Sequence, residues 1–134
     1  MPKIEILNPG ALAAPPATFS HVARASGAEH VFIAGQVAKD KAGNIVGADD
    51  FEAQCRQVYA NLEAALASVG AGWGNVVQFT SYLVRASDIA AFAKWRAQAY
   101  PAMFPKGAPP NTLLVISALA EPAFRLEVQA TAVL

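Results

Sequence analysis

A chain of 134 residues with ten basic and ten acidic side chains carries no net formal charge. It offers no long-range field to nucleic acid or to an anionic membrane, and its length is that of one domain. Apolar residues make up 54% and charged residues only 15%. A domain this small has limited interior for that much apolar surface, so it either buries a face against another subunit or exposes an unusually large patch.

Other classes are disfavoured on the same grounds. No stretch approaches the ~20 apolar residues of a spanning helix. The opening residues Met1 to Glu5 place a proline and an acid where a signal peptide needs a basic start and an apolar core. One cysteine, Cys55, rules out an internal disulfide framework. The expectation is a single domain over 1–134 in the reducing cytoplasm, acting without nucleic acid or membrane as a partner.

In chain order, the Pro/Ala-rich stretch from Pro9 to Pro16 reads as a connection. Ser20 to Ala25 reads as a strand with a turn at Gly27, and His30 to Val37 as a buried strand containing Val31, Phe32 and Ile33. Lys39 to Gly47, with Gly43-Asn44, reads as a hairpin-like turn. Phe51, Cys55, Val58, Leu62, Leu66 and Val69 recur at helical steps, with Asp49 or Asp50 as cap and Gly70 as terminator.

Asn75 to Val84 then alternates. Val77, Phe79, Ser81 and Leu83 fall on one face; Val76, Gln78, Thr80, Tyr82 and Val84 fall on the other. Ser87-Asp88 starts a second helix whose inner stripe is Ile89, Phe92, Ala93, Arg96 and Ala99, with Pro101 at its end or at a kink. Thr112 to Leu119 is an apolar strand. In the last strand, Phe124 to Leu134, the residues Phe124, Leu126, Val128, Ala130, Ala132 and Leu134 point one way, and Arg125, Glu127, Gln129, Thr131 and Val133 the other.

About six strands and two helices in this order imply an α+β sandwich. Two helices cover one face of such a sheet. The other face, with Val76, Thr80, Tyr82, Val84, Gln129, Thr131 and Val133, is mostly uncharged and suits burial in a closed oligomer.

Few residues carry a chemical signal. His21 and His30 lack partners at metal-ligand spacing, and there is no paired CxxC or HExxH, so no metal is expected. Cys55 lies on an apolar helical stripe and reads as an inert thiol. Gly70-Ala71-Gly72-Trp73-Gly74 follows a helix and precedes a strand, the reverse of a phosphate-cradling order, and reads as a helix end and turn. No serine lies in a GxSxG elbow. Glu127 stands out as an acid within an apolar strand. It must be paired, hydrogen-bonded or protonated: either a salt bridge to Arg125 or a neighbour's Arg24, or a general acid/base or water-orienting group. Asn111, after Pro109-Pro110, either closes a turn or offers its amide to a cleft.

Taken together these residues resemble one family. His30-Val31-Phe32-Ile33-Ala34-Gly35-Gln36 is similar to the "vfvSGQ" strand of the RidA/YjgF proteins. Gln54 and Asn61 fall in a helix similar to the family's "Q...q...N" helix. Pro109-Pro110-Asn111-Thr112 through Arg125-Leu126-Glu127-Val128-Gln129-Ala130 resembles its "PARS" to "EIEAIA" ending. The resemblance runs from about Phe19 to the end of the chain. It implies a chorismate-mutase-like fold, a six-stranded sheet with two helices on one face. It also implies a homotrimer with a central barrel and small-molecule clefts at the subunit interfaces, needing no cofactor.

In active members, an arginine clamps the carboxylate of a 2-imino acid and a glutamate positions the attacking water. Carried over by position, the resemblance makes Glu127 the catalytic residue and places Phe19, Gly35, Asn111 and Thr112 at the ligand. Asn111 stands in place of the arginine, Ala34 of a common serine, Phe19 of a frequent tyrosine, and Gln129 of a second glutamate. A neutral asparagine lacks the bidentate, charge-assisted grip of a guanidinium. The loss of about 1.5–3 kcal/mol corresponds to a tenfold to hundredfold or greater fall in rate. Two expectations follow: a ligand-binding trimer that is not a standard 2-imino acid deaminase, or an enamine/imine hydrolase for a different small metabolite. RNA-directed roles attached to the family find no basic patch here.

Overall fold

The structure, a computed structural model, describes residues 2–134. Met1, at the head of the segment compared above with a signal peptide, lies outside the described residues. Six strands and two α-helices follow in the order β1 (Lys3–Leu7), β2 (Val22–Ser26), β3 (His30–Gln36), α1 (Phe51–Ala67), β4 (Val76–Leu83), α2 (Ile89–Met103), β5 (Asn111–Val115) and β6 (Leu126–Val133). The α+β class and the element count match the expectation from sequence. The hydrogen bonding divides the strands into a four-stranded sheet, β3-β6-β4-β5, and a separate β1-β2 ribbon, where a single six-stranded sheet was expected.

The sheet is mixed. β6 runs antiparallel to both neighbours, while β4 and β5 are parallel and joined through α2. Alternation along β6 is as the sequence predicts. Leu126, Val128, Ala130 and Ala132 are buried under the helices, and Glu127, Gln129 and Thr131 face away. In β4 the predicted phase fails at its start. The register with β6 shifts between Val76 and Gln78, which turns Val76 inward ahead of Phe79, Ser81 and Leu83. Val77, expected inside, is only half-buried.

Helix α1 starts where Asp50 accepts a hydrogen bond from the Ala53 N–H at 3.1 Å. It ends at Ala67, before Gly70 adopts φ +74°. Its inner stripe is Phe51, Gln54, Cys55, Val58, Tyr59, Leu62 and Leu66; Val69, placed on the stripe from sequence, lies past the helix and is exposed. In α2 the buried residues are Phe92, Arg96 and Tyr100, whereas Ile89 is exposed. The helix runs past Pro101 to Met103, so the proline sits inside its last turn.

The layer between helices and sheet is strongly aromatic. Tyr59 lies among Trp73, Phe79, Trp95 and Tyr100 at centroid distances of 4.6–6.0 Å, and Tyr100 packs edge-on to Phe104 at 4.9 Å. The two buried tyrosine hydroxyls satisfy each other at 2.6 Å. Each large apolar side chain hidden here contributes roughly 1.5–3 kcal/mol.

The far face of the sheet has no helix over it. Phe32 is 76% exposed there, and Leu114 and Val115 are exposed on β5.

Candidate functional site

The site grows from a break in the β3–β6 ladder. Ile33 pairs with Ala130, but Gln36 pairs with Val128, so Ala34 and Gly35 together stand against Gln129. Such a bulge bends the strand and re-aims what lies beside it. What it brings alongside Gly35 is Glu127. A Cβ placed on Gly35 would lie 2.0 Å from Glu127 Oε1 and 2.8 Å from its Cγ and Cδ. Glycine at position 35 is therefore a matter of space: it is the seat of the carboxylate.

Glu127 is half-buried on the uncovered face, opposite Tyr82 of β4. Neither arginine considered for it from sequence reaches it within the chain. Arg24 bonds Glu5 on the β1-β2 ribbon. Arg125 turns to Asp88, with Nε and Nη2 donating to the two carboxylate oxygens at 3.0 and 2.5 Å. Among the described residues, the Glu127 carboxylate makes neither a salt bridge nor a side-chain hydrogen bond inside the chain.

Gly35 also borders a cleft of about 630 Å³ between the end of β3 and α1, lined by Gln36, Lys39, Lys41, Gln57 and Asn61. Asn61 donates to the carbonyls of Val37 and Lys39 at 3.0 and 2.9 Å, and so pins the chain leaving β3 to the helix.

The remaining sequence-predicted residues lie elsewhere. Asn111 opens edge strand β5, and its Oδ1 accepts from the buried Ser81 hydroxyl at 2.7 Å. That bond turns its amide toward the helix side. Thr112 is exposed and pairs with Thr80 of β4. Strand β4 separates β5 from β6, so Asn111 and Thr112 lie at least about 10 Å from the Glu127 strand. Phe19 packs edge-on to His21 at 5.7 Å and lines a cavity of about 410 Å³ with Pro15, Pro16, Tyr100, Pro101 and Phe104. One chain thus joins Gly35 to Glu127 and sets Asn111, Thr112 and Phe19 apart from them.

The other candidates take structural roles. Burial pushes the Cys55 thiol up to about 12, so it stays protonated and unreactive. His21 shares a 2.7 Å hydrogen bond with the Ala13 carbonyl, and His30 is exposed. Among the described residues no three of His, Cys, Asp and Glu cluster as metal ligands would.

Sequence reasoning missed two features that hold the start of β6. The fully buried Gln54 donates to the carbonyls of Gly47 and Ala123 at 3.0 and 2.7 Å and accepts from the Arg125 N–H at 2.9 Å. Asp88, part of the Ser87-Asp88 helix start, makes no cap hydrogen bond through its side chain and holds Arg125 instead. The carboxylate raises the Arg125 guanidinium further above its ordinary value. The only signal in the sequence was the helix position of Gln54, which the resemblance had already singled out.

A mixed sheet with two helices on one face is also the fold of solved Rid-type proteins. Residues 11–134 match the family model described as endoribonuclease L-PSP, and the chain belongs to that family. The RutC family protein slr0709 of Synechocystis is 36% identical over 89 residues, which are 66% of this chain and 67% of that protein. A Rid-family protein of unknown function from Yersinia pestis, YyfB, superposes with a TM-score of 0.90 at 34% identity over 98% of each chain. RidA from an Antarctic Psychrobacter shares the fold at a TM-score of 0.69 and 23% identity, covering 81% of this chain and 84% of its own.

Proposed function

We propose that this chain forms a homotrimer that binds a small neutral metabolite in clefts between subunits, and that it is not a standard 2-imino acid deaminase. The observation that carries this reading is Asn111 at the position of the family's carboxylate-binding arginine. Its amide is tied to Ser81 and carries no charge. The similarity to YyfB, far higher than to the Psychrobacter RidA, is consistent with a branch of the family distinct from RidA proper.

The uncovered sheet face supports the trimer. Phe32 is 76% exposed beside a cavity of about 500 Å³ lined by Val22, Val77, Thr131 and Val133. An aromatic ring left in water on a weakly charged face is the mark of a subunit interface.

A second reading keeps the chemistry. Glu127 is half-buried and without a salt-bridge partner in its own chain, which suits a group that orients water on a reactive enamine or imine lacking a carboxylate. RNA cleavage, which the family description names, has less support. Lys3, Arg24, Lys39, Arg56 and Arg125 each lie against a carboxylate.

The test is hydrolysis of 2-iminobutanoate generated in situ by the wild type and by Asn111→Arg, with assembly measured by sedimentation. An inactive trimer that gains activity with the arginine supports the proposal. An active wild type overturns it and shifts attention to Glu127→Ala. A monomer at micromolar concentration removes the interfacial cleft.

A further inference from the structure

A cavity of about 680 Å³ lies between the N-terminal ribbon and the end of α2, away from the Gly35–Glu127 seat. Its walls are largely apolar: Ile4 and Ile6 from β1, Trp73 ahead of β4, Val76 at its start, and Met103 and Phe104 at the end of α2. Trp73 and Phe104 meet at a 67° angle with centroids 5.9 Å apart, so two aromatic surfaces converge there. The volume falls within the roughly 300–1,000 Å³ of small-molecule pockets, which pair apolar walls with a few polar anchors.

The anchors here are both cationic. Lys3 and Lys106 stand on the lining and are exposed, and among the described residues no Asp or Glu lines the cavity. Lys3 also reaches Glu5 at 3.2 Å, but that carboxylate is held by Arg24 as well, which leaves the lysine only a shared partner. Asn75, the other polar side chain on the lining, is spent. Its Oδ1 accepts from the Gly72 N–H and its Nδ2 donates to the Val133 carbonyl, each at 3.0 Å. The local charge is therefore positive around an apolar, aromatic hollow.

We infer that this cavity is a second binding site, for an amphipathic carboxylate whose flat apolar body lies against Trp73 and Phe104 while its anionic end meets Lys3 and Lys106. Val76 and Phe104 belong to the helix-side core, and Trp73 packs against it. The site therefore stays open when the uncovered sheet face is buried, and it is independent of the function proposed above.

The experiment uses 2-naphthylacetate and its uncharged counterpart 2-naphthylacetamide as probes. Binding is read from the two tryptophan indole N–H signals in a ¹⁵N-labelled sample, with Trp95→Phe assigning which is which. The expected result is a saturable shift of the Trp73 signal by the carboxylate, with little movement of Trp95. In Lys3→Met/Lys106→Met the carboxylate should bind about tenfold more weakly, with the amide changed less than about threefold. No saturable shift at millimolar carboxylate overturns the site. So does equal binding of acid and amide, or binding that ignores both lysines. A Trp73 signal that moves with protein concentration and not with probe makes the cavity a contact between copies, and likewise overturns it.

Discussion

The carboxylate of Glu127 occupies the space in which a side chain on residue 35 would begin, 2.0 Å from its first carbon. Gly35→Ala must therefore displace the whole Glu127 side chain, because Cγ and Cδ are crowded at 2.8 Å as well as the oxygen. The expected cost is about 1–3 kcal/mol of stability from overpacking. It should largely vanish in Gly35→Ala/Glu127→Ala, since residues in contact are not additive. Urea unfolding of the four proteins checks this; an unchanged cost in the Glu127→Ala background would mean that the alanine clashes with something else.

Asp88 and Arg125 form an ion pair whose side chains are only 5% and 15% exposed. Asp88→Ala leaves a guanidinium with little access to water and no anion. A loss of about 3–5 kcal/mol is expected for breaking a buried pair from one side. Replacing both partners, as in Asp88→Leu/Arg125→Met, should cost clearly less. A single variant as stable as wild type in denaturant would show that water already compensates the pair.

Gln54→Met keeps the bulk of the side chain but strands the Ala123 carbonyl and the Arg125 N–H, while the Gly47 carbonyl keeps the Asp50 N–H. Each orphaned buried group costs about 1–3 kcal/mol. A drop of at least about 2 kcal/mol is expected, with amide exchange rising first at Arg125. Protection that is unaltered at Arg125 would argue against the clamp.

Alkali should weaken the fold in a defined window. Burial pushes Cys55 and Tyr100 each up to about 12, from unfolded values of roughly 8.5 and 10. Above those unfolded values the unfolded chain sheds protons that the native chain retains, so stability falls as pH rises; below about pH 8.5 the effect is absent. The slope approaches roughly 1.4 kcal/mol per pH unit for each group. Cys55→Ala should flatten the first part of the fall. Equal stability at pH 8 and pH 10.5 would contradict the burial of both groups.

Strand β6 and helix α1 could be read from the chain because their patterns are periodic and their partners lie on one side. The inward residues of β6 from Leu126 to Ala132, and the Asp50 cap, come out as the alternation and capping rules require. Strand β1 was not assigned. Ile4 and Ile6 alternate, but they signify a strand only once β2 is known to lie beside them in the register Ile4 to Ala25 and Ile6 to Ala23. In β4 the alternation holds from Phe79 to Leu83 and fails only at Val76 and Val77, where the register shift reverses a period of two and nothing local marks it.

The site was legible as residue types but not as geometry. Glu127 could be singled out as an acid in an apolar strand. Its contact with Gly35 depends on a bulge between strands far apart in sequence, and Asp88 reads only as part of a helix start because it stands at one. Only the fold shows that the carboxylate has a stronger claimant in Arg125.

Strand β6 follows every other strand in the chain, yet it pairs with both β3 and β4 inside the sheet. Until it docks, those two strands have no common neighbour, and the β4–β5 pair is a parallel edge supported only through α2. Most sheet contacts are therefore non-local, which slows folding relative to a helical bundle and leaves strand edges unpaired until the sheet is complete. The strand that carries Glu127 is thus also the one whose docking closes the sheet.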